Sequence, residues 1–246
     1  MAKQFNSQSD RQPFADDPST WPVSTARAVA VGLDFGFSQD HSALVVVAEY
    51  GWQGRSFHAV LEVTRLPLQT PPSEVRELAV QTVQRWTRPR GPAQLVADAR
   101  SNMAFFEQLV RSGITPLPVG VSATSAETHA VEPRVVPIPA GGRRLPGLIY
   151  TVSRNQLIDS LNAQFEARAI AMTREGDAGF LRSELHGLVR EVTAARNIRY
   201  VTPSGGHDDC LMALCYALWG LDRLPRPRAK APEIAGRPQF SAEAWT

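Results

Sequence analysis

Four aspartates stand at positions where carboxylates from distant parts of the chain can meet. Asp34 and Asp98 each end an apolar run, and Asp208 and Asp209 precede a long apolar segment of helical pattern. The ends of central strands lie side by side in an open sheet, so acids far apart in sequence converge there. Converging carboxylates repel one another in a low dielectric unless a cation lies between them. The pattern therefore predicts a site for Mg²⁺ or Mn²⁺, and two such ions activate water for attack on a phosphodiester.

Each of these residues also has an ordinary structural explanation. A single acid at a strand end is often a turn residue, and the pair Asp208-Asp209 would serve as a cap of the following helix. The neighbouring His207 and Asp40 fit supporting positions in a metal site, but also a structural histidine and a turn residue. The functional interpretation depends on the combination of acidic positions in this order along the chain.

The elements that must position these acids alternate between strand and helix. Apolar and β-branched runs predict strands at residues 29–34, 43–50, 56–65, 94–98 and 114–121. Short spacers between the first three strands favour antiparallel hairpins, and a strand–helix–strand unit with short joints favours a parallel crossover. The sequence thus predicts an α/β fold with a mixed five-stranded sheet flanked by helices.

Later segments are assigned from composition and periodicity. Residues 122–147 are rich in proline and glycine and are predicted to be irregular, whereas residues 153–169 are predicted to form an amphipathic helix. Residues 180–192 and 198–202 are predicted to form a hairpin. The expected domains are a flexible N-terminal tail at 1–27, a single folded domain at 28–222 and a Pro/Arg-rich flexible tail at 223–246.

Composition limits the class of protein. The hydrophobic fraction is 43% and the mean hydropathy is -0.20, and no apolar run approaches a membrane span or a signal peptide. The only two cysteines, Cys210 and Cys215, fall in one predicted helix, which argues against a disulfide framework and suits a reducing cytoplasm. Lys3 and Lys230 are the only lysines. Arginine suits a phosphate-bearing partner, although a GC-rich genome produces the same bias.

Four stretches of the chain are similar to one known family. They are Val31-Gly32-Leu33-Asp34-Phe35-Gly36 with Asp40-His41-Ser42-Ala43, Leu95-Val96-Ala97-Asp98, Ser153-Arg154-Asn155-Gln156-Leu157, and Gly205-Gly206-His207-Asp208-Asp209 with Ala213-Leu214. Over residues 29–221 the chain resembles the C-terminal nuclease domain of the large terminase subunit of tailed bacteriophages, a member of the ribonuclease H-like superfamily.

This resemblance implies a metal-dependent endonuclease that cuts concatemeric double-stranded DNA during genome packaging in the cytoplasm of a bacterial host. It implies two Mg²⁺ or Mn²⁺ ions held by Asp34, Asp98, Asp208 and Asp209, with His207 and Asp40 as supporting positions. The partners that it implies are double-stranded DNA and one of three packaging components: an ATPase, the portal or the small terminase subunit. It implies no membrane partner. No Gly-Lys pair occurs in the sequence, so no P-loop can be written for an ATPase motor. An excised domain, a split-gene product and a freestanding relative all fit.

The expected DNA contacts rest on position alone: Arg143, Arg144, Arg196 and Arg199. Two other functions remain open, a Holliday-junction resolvase-like nuclease of the same superfamily and a non-catalytic DNA-binding packaging module. The stretch from Gly32 to Gly36 also resembles the first phosphate loop of sugar kinases and actin-like ATPases. Those proteins need a second loop in which glycines follow an acid, whereas here Gly205 and Gly206 precede the acids.

Overall fold

The computed structural model describes residues 17–52, 55–88, 91–100, 102–125, 132–192, 198–203 and 206–223. Its strands are β1 Ala28–Asp34, β2 Ala43–Trp52, β3 Arg55–Arg65, β4 Gln94–Asp98, β5 Val119–Thr124, β6 Arg134–Ala140, β7 Arg143–Ser153, β8 Ile170–Met172, β9 Val189–Val192 and β10 Ile198–Val201. Its helices are α1 Pro72–Trp86, α2 Met103–Arg111, α3 Arg154–Glu166, α4 Ala178–Gly187 and α5 Asp209–Arg223. Two short 3-10 helices, Pro18–Thr20 and Val23–Thr25, precede β1.

Within these ranges, eight strands form one mixed sheet in the order β6-β7-β5-β4-β1-β2-β3-β8, and β9 and β10 form a separate hairpin. Strand β4 pairs parallel with β1 and with β5, and β5 pairs parallel with β7. Strand β2 pairs antiparallel with both β1 and β3. The predicted α/β class with a mixed sheet flanked by helices is confirmed. The sheet is wider than the five strands that the sequence predicts.

Helices cover both faces of the sheet. Val31 and Leu33 of β1 belong to the core cluster that contains the buried residues of α1 and α2. Ala30 belongs to the opposite cluster, together with the buried residues of α3, α4 and α5. Because successive side chains of a strand point to opposite faces, a strand buried on both sides is apolar throughout, as β1 is up to Asp34.

The close approach of α5 to β1 depends on Gly32. A Cβ atom at this position would lie 1.8 Å from the carbonyl oxygen of Ala213 in α5. Only a residue without a side chain therefore leaves room for the helix backbone. This contact sets the N-terminus of α5 next to the carboxyl end of β1.

Residues 122–147 are predicted to be irregular, but the later, described part of this segment contributes β6 and the first residues of β7, which form a hairpin. Its turn is Gly141-Gly142, with φ values of +53° and +80°, between the paired residues Ala140 and Arg143. Positive φ at both positions of a two-residue turn is the geometry that glycine allows. Pro137 and Pro139 are tolerated because β6 is the edge strand of the sheet. Pro146 precedes Leu148, where the pairing of β7 with β5 begins, so its missing N–H breaks no ladder bond to β5.

Two further boundaries differ from the prediction. Strand β5 begins at Val119 rather than at residue 114, since Pro116 and Pro118 cannot donate to a sheet ladder. The first part of the predicted strand at 180–192 is helix α4, in which Ala178, Leu181 and Glu184 are buried at helical spacing. The second part pairs with β10, so the predicted hairpin is present but shorter.

The chain before β1 packs against the sheet within the described residues. Trp21 is buried, and its ring contacts that of Tyr50 edge to face at a centroid distance of 5.5 Å. The carboxylate of Asp17 accepts hydrogen bonds from the Thr173 hydroxyl and the Arg174 backbone N–H. The tails proposed at 1–27 and 223–246 stay predictions, and most of their residues lie outside the described ranges. None of the described helices is both long and apolar enough to cross a membrane.

Candidate active site

Asp34 and Asp98 end neighbouring parallel strands. Leu33 of β1 pairs with Ala97 of β4, so the next residue of each strand emerges at the same edge of the sheet. Both side chains share the face that packs on α5, because Ala30 and Val96, an even number of residues earlier, lie in that core cluster. This register brings the two carboxylates together.

Asp208 and Asp209 reach the same edge from α5. The carbonyl oxygen of Asp208 accepts the N–H of Met212 at 2.8 Å, so Asp208 caps the helix and Asp209 is its first residue. Negative charge is favoured at a helix N-terminus by the free N–H groups and the helix dipole. Asp209 is buried, whereas Asp208 is half-buried.

Each of these two aspartates faces an arginine that the sequence analysis did not select. Arg154, the first residue of α3, donates from Nη2 to Oδ2 of Asp208 and from Nη1 to the Tyr200 carbonyl oxygen. Arg65, the last residue of β3, lies with Nη2 3.7 Å from Oδ2 of Asp209. The predicted antiparallel hairpins already indicate this position for Arg65, because they bring the end of the third strand level with the end of the first strand at Asp34.

Asp40, His207 and Asp209 form a second part of the same site. One potential ligand atom from each lies within 4.8 Å of the others. The backbone N–H of His41 donates to Oδ2 of Asp209 at 3.3 Å, and its ring lies 5.0 Å from that of His207. The carboxylate oxygens of this group suit Mg²⁺ and Mn²⁺, whereas the imidazole is a ligand that Zn²⁺ and other later transition metals prefer.

The acids of this site lie close enough to act on one another electrostatically. Burial raises the pKa of Asp34 well above its ordinary value, and the charges of Asp98, Asp209, Asp208 and Asp40 raise it further, in that order. Burial also raises the pKa of Asp209, while the charge of His207 and the His41 N–H oppose the rise. A divalent cation between the carboxylates would remove this repulsion, so the residues present fit a metal site.

Glu184 of α4 is a buried acid behind the N-terminus of α5. Its Oε2 accepts the Leu211 N–H at 2.8 Å, which caps a first-turn donor of the helix. In the part of the chain that the structure describes, its Oε1 has no hydrogen-bond partner. Burial raises the pKa of Glu184 to about 7, the charge of Asp209 adds to the rise, and that of Arg65 opposes it. Glu184 is not among the acids predicted for the site, because its segment has the pattern of a strand.

We expect the stability of the protein in EDTA to fall as pH rises from about 4.5 through 7. The folded state holds the proton of Glu184 more tightly than the unfolded chain does, so its contribution is complete below the ordinary pKa and lost above the folded one. Glu184→Gln should remove this part of the slope and unfold at higher urea concentration at pH 8. Urea titrations at several pH values test this, and equal slopes in both proteins would contradict it.

The predicted DNA-contact arginines fall in different places. Tyr150 of β7 is level with Asp98, because both pair with Val121. Arg143 and Arg144 precede Tyr150 by seven and six residues, which places them roughly 20 Å from the acids along the strand direction.

The other two predicted DNA contacts lie near the hairpin of β9 and β10. Arg199 in β10 is exposed and forms an ion pair with Glu191 at 3.0 Å. Arg196 lies outside the described residues.

The fold of this chain is similar to that of solved terminase nucleases. No protein-family model and no curated sequence matches the chain. The large terminase nuclease from thermophilic phage G20c is 21% identical, with 78% of this chain and 81% of that chain covered at a TM-score of 0.52. Its structure with bound cobalt is 20% identical, with 77% of this chain and 79% of that chain covered at a TM-score of 0.53. The human cytomegalovirus terminase nuclease domain is 11% identical, with 81% of this chain and 85% of that chain covered at a TM-score of 0.52.

These likenesses confirm the ribonuclease H-like α/β fold that the sequence predicts. The resemblance to the nuclease domain of large terminases is confirmed at the level of the fold.

Proposed function

We propose that this chain is a metal-dependent endonuclease of the terminase type, which cleaves double-stranded DNA during packaging of a phage genome. The observation that carries the proposal is the convergence of Asp34, Asp98, Asp208 and Asp209 at one sheet edge, where burial and then the charges of the other acids raise the pKa of Asp34. Likeness in fold to terminase nucleases, one of them solved with bound cobalt, supports it.

In the proposed reaction, the four aspartates would hold two Mg²⁺ or Mn²⁺ ions, and metal bound there would supply Lewis acidity toward the scissile phosphate, the attacking water and the leaving oxygen. Asp209 is the principal ligand of the tandem pair, because it is buried and close to Asp40 and His207. Asp208 is oriented by its ion pair with Arg154. The α5 N-terminus holds both carboxylates at the sheet edge.

Cleavage of supercoiled plasmid in Mn²⁺, Mg²⁺ or EDTA tests the function. We expect nicked and linear products with either metal and none in EDTA. Cutting that persists in EDTA would contradict the metal-dependent mechanism. No cutting and no metal-induced rise in Tm would favour a non-catalytic DNA-binding packaging module. A rise in Tm without cutting would indicate a site that requires a packaging ATPase, portal or small terminase subunit to engage DNA.

The choice of substrate separates the two nuclease functions. A terminase-type enzyme is expected to cut linear and supercoiled duplexes, whereas a resolvase-like enzyme is expected to cut a four-way junction in preference to both. The same protein preparation in Mn²⁺ provides the comparison. The likeness to terminase nucleases supports the first outcome.

Charge reversal at Arg143 and Arg144 is expected to weaken DNA binding without changing the rate of cleavage at saturating DNA. Loss of two phosphate contacts would reduce the slope of the logarithm of the DNA-binding constant against the logarithm of the salt concentration by about 2 in magnitude. The rate would stay unchanged because both arginines lie roughly 20 Å from the acids. Arg76→Glu on α1, at the opposite sheet face, is the control. An unchanged salt slope in the double variant would exclude these two contacts.

A further inference from the structure

Arg65 lies on the same rung of the sheet as Asp34. Asp34 pairs with Ala43, and Ala43 pairs with Arg65, so three adjacent strands end level with one another. Side chains opposite one another in antiparallel strands point to the same face. Arg65 therefore approaches the acids from the β3 side, on the face covered by α4 and α5.

The guanidinium of Arg65 is held between α4 and the acids. It lies 4.7 Å from the centre of the Phe180 ring and 3.7 Å from Oδ2 of Asp209, and its side chain is only 12% exposed. Asp209 and Glu184 are both within its electrostatic reach. Its position is thus determined by a cation–π contact on one side and by carboxylate charge on the other.

The hydrogen bonds of this guanidinium do not explain its burial. Among the described residues, neither Nε nor Nη2 of Arg65 has a hydrogen-bond partner, although both atoms are buried. A buried donor without a partner is unfavourable, and a buried charge is tolerated when an opposite charge lies near it. What compensates the burial of Arg65 is therefore the charge of the neighbouring carboxylates.

We propose that Arg65 is a built-in counter-charge of the metal site: it stabilises Asp209 when no cation is bound, and it acts through Asp209 as a positioning residue. The proposal rests on the metal site of the proposed function. Arg154 forms the corresponding pair with Asp208, but its side chain is 26% exposed, so water screens its charge more. Arg65 is the more buried of the two cations, whereas Arg154 contacts its carboxylate more closely.

A counter-charge and a purely structural arginine differ in how their removal depends on metal. In EDTA, Arg65→Met leaves the acids uncompensated, so Tm should fall sharply. In saturating Mn²⁺ the metal supplies the missing positive charge, so most of the loss should disappear. Because Arg65 also repels an incoming cation, the Kd for Mn²⁺ should fall by at least about threefold in the variant.

The experiment measures Tm in EDTA and in saturating Mn²⁺, and Mn²⁺ affinity by calorimetry, for wild type, Arg65→Met and Arg65→Lys. The lysine variant keeps the charge and should restore most of the wild-type behaviour. The control is Arg88→Met, since Arg88 is buried, donates to the Ala26 carbonyl oxygen and lies roughly 25 Å from Asp34 along β1. Arg88→Met should lower Tm equally with and without Mn²⁺.

A double-mutant cycle of Arg65→Met with Asp209→Asn, measured in EDTA, tests the pair without metal. The loss of Tm caused by Arg65→Met should be much smaller when Asp209 is already neutral. An equal loss in both backgrounds, or an Arg65→Met variant that behaves as Arg88→Met does, would overturn the role of Arg65. A wild-type protein that binds no Mn²⁺ would instead overturn the metal site of the proposed function, whatever the cycle gives.

Discussion

Asp34→Asn is expected to abolish DNA cleavage and at the same time to stabilise the protein in EDTA. Burial raises the pKa of Asp34, and the charges of four other carboxylates raise it further. Replacing it with a neutral amide removes a ligand from the proposed metal site, for which we expect a loss of at least roughly 10³-fold in rate. It also removes the repulsion that the folded state carries at neutral pH.

The two effects have opposite signs and are measured separately. At pH 8 in EDTA, we expect the Tm of Asp34→Asn to exceed that of wild type by at least about 3 °C. In saturating Mn²⁺ the order should reverse, because only the wild-type protein gains binding energy from the metal. Plasmid cleavage and thermal unfolding in both buffers provide the comparison.

Asp222→Asn is the matched control for this variant. The Asp222 side chain is 72% exposed near the end of α5 and pairs with the adjacent Arg223. Its replacement should change neither cleavage nor the response of Tm to Mn²⁺. Full activity of Asp34→Asn would show that Asp34 is not part of the site. A Tm of Asp34→Asn below that of wild type in EDTA would show that the charge of Asp34 is compensated in the folded state.

Gly32→Ala is expected to produce the largest loss of stability from a single methyl group. The added Cβ would lie 1.8 Å from the carbonyl oxygen of Ala213 and 2.8 Å from the backbone nitrogen of Ala217. Both atoms belong to the backbone of α5, so no rotation of a side chain relieves the clash. The helix must move away from β1, at a loss of about 3 kcal/mol in the free energy of unfolding.

Displacement of α5 should reduce activity as well as stability. Asp208 and Asp209 would move with the helix relative to Asp34 and Asp98, and a shift of about 1 Å at reacting groups lowers rates by about 10²-fold. Urea unfolding and cleavage at low temperature, where the variant is still folded, measure the two losses independently.

Gly179→Ala is the control for the glycine substitution. A Cβ at Gly179 in α4 would meet no atom within 4 Å. Because alanine favours a helix over glycine, the control should be at least as stable as wild type. A Gly32→Ala protein with wild-type stability would mean that α5 does not depend on this contact.

Much of the fold follows from local pattern. The apolar runs that become β1 to β4 are recognisable because a strand buried on both faces must be apolar along its length. Strands β6 and β7 are not predicted from the sequence, because three prolines and a Gly-Gly pair suggest an irregular loop. The Gly-Gly turn is itself a hairpin signal, but proline fits a strand only where its missing N–H faces no paired neighbour, and such positions are not readable locally.

The candidate site was predictable only in part, for the same kind of reason. Asp34, Asp98, Asp208 and Asp209 were selected because each stands at the end of a strand or the start of a helix. The structure places them together, while their roles as ligands stay a prediction. Arg65, Arg154 and Glu184 were not selected because each lies within an ordinary element and acquires its importance from a neighbour distant in sequence.

Residue type and spacing alone predict the strands β1 to β5, the acids at the ends of β1 and β4 and the apolar helix that follows the last acidic pair. Periodicity and residue type are local properties, and the sequence carries them directly. The charges that surround the acids follow from the folded arrangement, since strand register places Arg65 level with Asp34 and helix packing places Glu184 behind α5. Electrostatic energy depends on distance and burial, and both quantities exist only once the chain has folded.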